Sequence, residues 1–163
     1  MNTAAHDIEQ LYQLHAPAAF RRARRMLGDD ADAHEVVQDV FVSLLQAPEQ
    51  YSGKSSLATF LYSAVTHACL NRIRSRRTRE RLSSHSALSP QPALPLDAEQ
   101  RLVLHSALRE LPEQLAQVAI YYYVDELTQD EIGRIIGCSR RYVGKLLERL
   151  SAHPANKELS ACS

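Results

Sequence analysis

Apolar and polar residues follow a helical spacing along most of this chain. The clearest stretch runs from Asp30 to Gln46, where apolar residues recur at alternating spacings of three residues and one. They are Ala33, Val36, Val37, Val40, Phe41, Leu44 and Leu45. Such a stripe lies along one face of a helix with about 3.6 residues per turn, so the segment is predicted to be an amphipathic helix.

Other helices are predicted on both sides of this stretch. One is expected from about Ile8 to His15, and another from about Pro17 to Leu27, with proline in its first turn and Gly28 closing it. Pro48 ends the helix that contains the stripe, and a long helix is expected from near Ser55 to Arg81. The predicted apolar face of the long helix carries Leu57, Phe60, Leu61, Ala64, Val65 and Ala68.

The C-terminal half contains start and stop signals for four more helices. Asp97 with Gln100 and Thr128 with Glu131 resemble capping boxes, in which two residues satisfy each other's backbone donors. The first opens a helix to about Leu111, and Pro112 starts the next one, through Val124. The last two helices are separated by the sequence Gly137-Cys138-Ser139 and carry Ile132, Ile135, Ile136, Val143, Leu146, Leu147 and Leu150.

A proline- and serine-rich segment separates the two helical halves. Residues 83–96 read SSHSALSPQPALPL, and proline removes a backbone donor and disfavours helix at the preceding residue. We therefore predict an all-α protein with two small domains, residues 1–82 and 97–153, joined by a flexible linker over residues 83–96. A short tail is expected over residues 154–163, and no strand pattern competes with the helices.

Composition limits the class of protein further. The chain has 163 residues with 19 Lys plus Arg and 19 Asp plus Glu, so its net charge is zero. The longest apolar stretch, Val118 to Val124, is too short to cross a bilayer, and the N-terminal residues lack the basic start of a secretory signal. Three scattered cysteines, Cys69, Cys138 and Cys162, are expected to be free thiols. A cytoplasmic protein without membrane insertion is predicted.

The strongest local pattern is a helix-turn-helix from Thr128 to Leu150. Its two helices are expected to pack through Ile132, Ile136, Val143 and Leu147. The second helix would then expose Arg140, Arg141, Tyr142, Lys145 and Arg149. Arginine and lysine bind phosphates and guanine edges in the major groove. The alternative is a helical hairpin with a solvated basic face.

The segment Asn71 to Leu82 carries six arginines against one glutamate. Capping of a helix C-terminus accounts for one or two cations, and a denser cluster favours a polyanion such as a phosphate backbone. Aromatic residues lie upstream at Tyr51, Phe60 and Tyr62, a combination that suits single-stranded nucleic acid. Helical spacing among apolar neighbours favours a core position for Phe60 and Tyr62, which leaves Tyr51 as the better stacking candidate.

Acidic residues crowd the start of the Asp30–Gln46 helix, where the helix dipole favours them. Glu35, Gln38 and Asp39 lie further along, opposite the apolar stripe, and could contact a basic partner, although a solvated face is the ordinary expectation. For catalysis the sequence offers no familiar motif, and His67 with Cys69 is too small a set for a zinc site. We predict no enzymatic activity, no cofactor and no metal.

Taken in order, these segments resemble bacterial extracytoplasmic-function (ECF) sigma factors of the two-domain type, over about Ile8 to Ser151. The resemblance lies in DAHEVVQDVFVSLL (residues 32–45), SSLATFLYSAVTHACLNRIRSRR (residues 55–77) and the stretch from Leu108 to Ser139. It implies binding to core RNA polymerase and recognition of the upstream (minus-thirty-five) and downstream (minus-ten) promoter elements. An anti-sigma factor is an additional partner that the resemblance implies.

The resemblance also assigns roles by position. The polymerase-binding residues would be Asp32, Glu35, Gln38 and Asp39. The minus-ten element and its melted strand would contact Tyr51, Ser55, Ser56, Phe60, Tyr62, His67, Asn71, Arg72, Arg74, Arg76 and Arg77. The upstream major groove would receive Ser139, Arg140, Arg141, Tyr142, Lys145 and Arg149.

The sequence departs from the family pattern in three places that concern DNA. His67 stands where the family usually has asparagine, and Phe60 where tryptophan is common. In the recognition helix, residues 142–147 read Tyr-Val-Gly-Lys-Leu-Leu where the family usually has Thr-Val-Lys-Ser-Arg-Leu. The basic residues lie instead at Arg140, Arg141 and Lys145, so upstream base preferences do not transfer from relatives. Gly144 costs about 1 kcal/mol relative to alanine in a helix interior, and a close backbone approach to another element or to DNA would justify it.

Three other functions remain open at this stage. A helix-turn-helix repressor or activator would bind duplex DNA without polymerase, but it needs neither the acidic helix nor the basic-aromatic helix. A purely protein-binding regulator would use its basic faces on an acidic partner. An enzyme with scattered histidine and cysteine ligands is the remotest of the three.

Overall fold

The computed structural model describes residues 3–80 and 97–160, with side chains over residues 9–75 and 97–160. Within these ranges all regular structure is helical, as predicted. The helices are α1 (Thr3–Leu27), α2 (Asp30–Gln46), α3 (Leu57–Glu80), α4 (Ala98–Glu110), α5 (Glu113–Ala119), α6 (Gln129–Ile136), α7 (Arg140–Ser151) and α8 (Asn156–Ser160). They form two compact units, Met1–Cys69 and Leu70–Ser163. The predicted linker, residues 83–96, lies outside the described residues.

Helix α1 is continuous, whereas the sequence predicted a break at Pro17. Proline removes only one hydrogen bond there, and side chains on both sides of it pack on α2. Tyr12 meets Phe41 edge-on at 4.9 Å between ring centroids, and Phe20 stacks on His34 at 4.2 Å. Because α2 holds both halves of α1, packing outweighs the local cost of proline.

Helix α2 confirms the predicted amphipathic helix, with one change at its end. Ala33, Val36, Val37, Val40 and Phe41 are buried. In contrast, Leu45 is 44 % exposed, although it continues the apolar stripe. The spacing of the apolar residues of α2 departs slightly from 3.6 residues per turn, so the stripe they form winds slowly around the helix. Its last turn therefore leaves the surface that packs on α1.

Helix α3 is present as predicted, but its buried face overlaps only partly with the predicted one. The buried residues of its first four turns are Leu61, Val65, Thr66 and Cys69, while Phe60, Ala64 and Ala68 are only half-buried. The prediction is confirmed at Leu61 and Val65. It was wrong at the half-buried residues, because it counted every apolar residue and left out a buried hydroxyl and a buried thiol. Thr66 satisfies its hydroxyl by donating to the Tyr62 carbonyl oxygen at 2.8 Å.

The last described turns of α3 belong to the second unit. Leu70 and Ile73 are fully buried there, and the Nε of Arg109 donates to the Ile73 carbonyl oxygen at 3.0 Å. In the other direction, Nη2 of Arg74 donates to the Leu111 carbonyl oxygen at 2.6 Å. These two reciprocal hydrogen bonds join the end of α3 to the end of α4.

The second unit contains both predicted capping boxes. Asp97 accepts from the Gln100 backbone at 2.7 Å, and Gln100 accepts from the Asp97 backbone at 3.1 Å. Helix α5 continues as a π-helical turn over Ile120–Val124, which confirms a helix through Val124. Part of the predicted tail forms helix α8, which packs on α4 and buries Leu159 completely.

Candidate functional site

The acidic face of α2 lies where the sequence predicts it. Glu35, Gln38 and Asp39 are exposed and Asp32 is half-buried, on the side opposite the buried stripe. Asp29 precedes them as the N-cap, accepting from the Asp32 backbone at 2.8 Å. The dipole and the cap therefore explain the acids of the first turn, whereas Glu35 and Asp39 lie beyond it.

An exposed apolar side chain at the C-terminal end of this acidic face was missed by the sequence interpretation. Val42 is 42 % exposed, and it lies one turn from both Gln38 and Asp39. With Leu45 one turn further on, the face combines carboxylates with apolar surface. The signal was present in the sequence, since an apolar residue on the polar side of a predicted helix has no core to enter.

The loop before α3 is held by its own residues. The Tyr51 hydroxyl donates to the Ser55 carbonyl oxygen at 2.7 Å, and its ring lies 5.5 Å from that of Phe60. Ser56 caps α3 by accepting from the Thr59 backbone at 3.1 Å. Gly53 adopts φ of 71°, a left-handed conformation that favours glycine. Loop and helix therefore present a joined aromatic pair.

Phe60 and Tyr62 are half-buried, so the expectation that they belong to the core was wrong. The guanidinium of Arg22 lies 4.4 Å from the centre of the Tyr62 ring and covers one of its faces. Such a contact is attractive because the face of an aromatic ring carries negative potential. Tyr62 is therefore positioned by a cation rather than by apolar packing alone.

The predicted basic track of α3 divides into three parts. Asn71 is exposed, and both His67 and Arg72 are half-buried. Arg74 is engaged by the Leu111 carbonyl oxygen, so its guanidinium is directed into the second unit. The side chains of Arg76 and Arg77 lie outside the described residues. The structure thus brings Arg74 to the end of α4.

The helix-turn-helix forms as predicted over α6 and α7. Thr128 caps α6, and Glu131 accepts from the Thr128 backbone at 2.7 Å, which lowers the pKa of its carboxyl. Gly137 ends α6 in the left-handed conformation with φ of 73°, and Ser139 caps α7 by accepting from the Tyr142 backbone at 3.2 Å. Two caps and one glycine set the turn.

The packing between α6 and α7 differs from the prediction at two of four residues. Ile132 and Val143 are fully buried as expected, whereas Ile136 and Leu147 are only half-buried. Leu146 and Leu150 are buried in addition, because they lie one and two turns after Val143 on the same side of α7. The apolar face of α7 is thus rotated slightly from the predicted one.

The opposite face of α7 is basic and accessible. Its exposed residues are Ser139, Arg140, Arg141, Tyr142, Lys145 and Arg149. Two are restrained by neighbouring elements: Arg140 lies 3.9 Å from the Asp130 carboxylate, and the Tyr142 hydroxyl donates to Gln114 at 3.4 Å. Exposed ion pairs of this length contribute little, so the cations stay available for an anionic ligand.

A cleft beside this face brings together Gln129 and Gly144, which the sequence interpretation did not connect. It has a volume of about 490 Å³ and is lined by Gln129, Arg140, Arg141, Gly144, Lys145 and Glu148. Gln129 is the first residue of α6, so only the tertiary packing of the two helices places it beside Gly144. The sequence did contain one signal of this cleft, because a glycine in the middle of a predicted helix indicates a close approach to the backbone.

Over the described part of the chain, no group of three or more His, Cys, Asp or Glu side chains is placed to hold a metal ion. Cys69 is buried and Cys138 is half-buried, both as free thiols, and burial raises the pKa of the Cys138 thiol. Among the same residues, no helix is both long and apolar enough to span a membrane.

Comparisons with known proteins match both halves of the chain. Residues 11–79 match the model of sigma-70 region 2, and residues 101–153 match that of sigma-70 region 4. The chain is 26 % identical over 144 residues to the ECF RNA polymerase sigma factor SigW of Bacillus subtilis, covering 80 % of this chain and 75 % of SigW. It is 25 % identical over 137 residues to SigE of Mycolicibacterium smegmatis, covering 79 % of this chain and 52 % of SigE.

A solved structure shares the fold. The sigma factor RpoE of Bartonella quintana, crystallised with the anti-sigma factor NepR, aligns over 96 % of both chains with a TM-score of 0.53 and 19 % identity. At that identity the likeness concerns the fold alone.

Proposed function

The chain belongs to the ECF group of sigma-70 RNA polymerase sigma factors, and we propose that it binds core polymerase through α2 and promoter DNA through α3 and α7. Sigma factors are transcription initiation factors, and we expect no catalytic activity of the chain itself. We also expect it to act in the cytoplasm, where its polymerase and promoters are.

Recognition of the upstream element is assigned to α7, and one observation carries this assignment. Helix α7 buries Val143, Leu146 and Leu150 while it exposes arginine and lysine on the other side. Its N-terminal residues are the ones that a recognition helix directs at base edges. We propose that Arg140, Arg141 and Lys145 contact bases and phosphates of the minus-thirty-five element, with Ser139, Tyr142 and Arg149 beside them.

Binding to core polymerase is assigned to the exposed face of α2. The polar contacts come from Asp32, Glu35, Gln38 and Asp39, and Val42 supplies apolar surface one turn beyond them. Protein interfaces commonly combine a desolvated apolar centre with a polar rim. A basic helical surface with one apolar pocket on the polymerase would complement this face.

Capture of the melted minus-ten strand is assigned to the loop before α3 and to α3 itself. Tyr51 and Phe60 form an aromatic pair next to Ser55 and Ser56. Rings of this kind stack on unpaired bases, and capture of extruded bases offsets the energy lost when the duplex unstacks. Tyr62, His67, Asn71, Arg72, Arg76 and Arg77 are proposed to follow the strand along α3. Arg74 is left out of this set, because its guanidinium donates to the Leu111 carbonyl oxygen.

Regulation by an anti-sigma factor is part of the proposal. The RpoE relative was crystallised with NepR, and its fold covers nearly all of this chain. We propose that a protein partner likewise covers one or both of the assigned surfaces when the sigma factor is inactive.

The test is run-off transcription with core bacterial RNA polymerase, the purified chain and a promoter library. Asp39→Lys is expected to weaken binding to core polymerase at least about fivefold, because it reverses a carboxylate at the docking face. Glu9→Lys serves as the matched control, since Glu9 is an exposed carboxylate on α1. The double variant Arg140→Gln/Arg141→Gln should retain core affinity and lose upstream-element binding. Arg134→Gln, on the exposed side of α6, is its control.

Three results would contradict the proposal or part of it. Duplex binding without transcription from any promoter would favour the repressor alternative. Equal core affinity of Asp39→Lys and Glu9→Lys would remove the assignment of the α2 face. Binding of duplex DNA that does not respond to salt would favour a protein partner over DNA, because phosphate contacts release counterions.

A further inference from the structure

Gly144 is a glycine that the fold itself does not require. It lies in the middle of α7 in an ordinary helical conformation, where glycine is the least favourable residue apart from proline. A Cβ built at this position meets only Oε1 of Gln129, at 3.6 Å, which is an ordinary van der Waals distance. An alanine would therefore fit without displacing any neighbour.

Gly133 on the preceding helix shows what a structural glycine looks like in the same motif. A Cβ there would lie 2.7 Å from the Cys138 carbonyl oxygen, so the turn between α6 and α7 excludes any side chain. No comparable contact surrounds Gly144 among the described residues. The described residues give no steric reason for a glycine at position 144, and a molecule that approaches this stretch of backbone from outside would account for it.

The surroundings of Gly144 indicate what that molecule is. Arg140 and Arg141 lie one turn before it and Glu148 one turn after, so all of them share its side of α7. Together with Lys145 and Gln129 they line the cleft described above. The cleft carries three cations against one carboxylate around a bare stretch of helix backbone, and this excess of positive charge suits a nucleic acid in the major groove.

Gln129 contributes a neutral hydrogen-bonding group to the same cleft. It is half-buried, its Oε1 is directed at the open side of Gly144, and no described residue forms a hydrogen bond with its amide. A glutamine amide matches the N6 and N7 edge of adenine in the major groove with two hydrogen bonds. The Gln129 amide is therefore available to an adenine edge that enters the cleft.

We propose that Gly144 lets an adenine–thymine base pair of the upstream element approach the backbone of α7, where the Gln129 amide recognises the adenine. The inference rests on the proposed function of α7 and extends it to a residue of α6. It makes Gln129 a specificity residue and Gly144 the position that admits the base pair.

The experiment measures promoter binding and transcription by the reconstituted holoenzyme, with a library that varies every base pair of the upstream element. Gly144→Ala is expected to raise the melting temperature of the free chain by about 2–4 °C, because alanine favours helix. It should nevertheless weaken promoter binding at least about fivefold, the loss typical of one base-pair contact. Ser151→Ala, on α7 outside the cleft, should leave promoter binding unchanged.

Gln129→Ala tests the readout itself. It should remove the preference for adenine at one base pair and leave the preferences at the other base pairs intact. Wild-type affinity of Gly144→Ala would overturn the inference, and so would a Gln129→Ala variant that loses affinity equally for all sequences. The wild-type chain could direct transcription while Gly144→Ala and Gln129→Ala keep wild-type promoter binding and base preference. In that case the proposed function stands and the inference fails. If the wild-type chain directs no transcription, both fall.

Discussion

Replacing Thr66 by valine is expected to destabilise the first unit, because Thr66 is the acceptor for a buried arginine. Nε and Nη2 of Arg22 both lie within hydrogen-bond distance of Thr66 Oγ1, at 3.3 and 3.2 Å. Arg22 is only 7 % exposed, so water cannot easily replace this acceptor. The two residues join α1 to α3, and the same guanidinium covers the Tyr62 ring.

The magnitude follows from the shape and charge of the two side chains. Valine has nearly the shape of threonine, so the change removes an acceptor without opening a cavity. Hydrogen bonds to charged groups contribute about 1.5–3 kcal/mol, and the added buried methyl recovers about 0.8 kcal/mol. The expected loss in the free energy of unfolding is therefore about 1–2 kcal/mol, or a fall in melting temperature of about 2–8 °C for a chain of this size.

Denaturant and thermal unfolding of Thr66→Val, Arg22→Met and the double variant form a mutant cycle that isolates the interaction. Each single change should destabilise, because each leaves polar atoms of the other residue with fewer partners in a buried place. The double variant should lose less than the sum of the two, since an apolar pair removes donor and acceptor together. Strict additivity, or a valine variant as stable as wild type, would refute the argument.

Two smaller predictions concern the helix-turn-helix. Hydrogen bonds from the Thr128 backbone and hydroxyl lower the pKa of Glu131, so the stability they supply is present above the ordinary glutamate pKa and is lost as the pH falls through the lowered value. Thermal unfolding between about pH 3 and pH 6 should thus depend less on pH in Glu131→Gln, and equal slopes would contradict this. Gly133→Ala should destabilise by about 1–3 kcal/mol, because overpacking against the Cys138 carbonyl exceeds the gain in helix propensity; a melting temperature at or above that of wild type would contradict it.

The helices could be predicted from the sequence because their signals are local. Capping boxes, the left-handed Gly28 and Gly137, and the spacing of apolar residues all act within a few residues of the element they define. The break expected at Pro17 did not occur, because contacts with a second helix decided that position. Local signals predict that a helix forms, and packing decides where it is interrupted.

Which face of a helix is buried was less predictable, because burial depends on partners far along the chain. Thr66 enters the interior because Arg22 uses its hydroxyl, and the residues are 44 positions apart. Ile73 and Arg74 meet Arg109 and Leu111 for the same reason. Polar residues that satisfy one another in the interior leave no trace in a hydrophobic pattern.

The candidate surfaces could be predicted where charge alone marks them, as on α7 and on α2. The cleft at Gly144 could not, because its two defining residues lie on different helices and neither is charged. Val42 illustrates the opposite case. The sequence already places an apolar residue on the polar side of α2, and the structure adds that this side chain is exposed and so available to a partner. Charged surfaces are visible in a sequence, whereas a neutral site needs the fold.

The net charge of zero bears on how such surfaces work. Residues 97–153 carry seven basic and nine acidic residues, yet the exposed face of α7 is basic. At physiological salt, charges are screened over about 8 Å, so the cations of α7 act on a phosphate that they touch, and the acids elsewhere oppose its approach only weakly. A small excess of acid gives no long-range attraction to DNA. We therefore expect promoter affinity to depend on contacts made together with polymerase, for which the α2 face is the proposed docking surface.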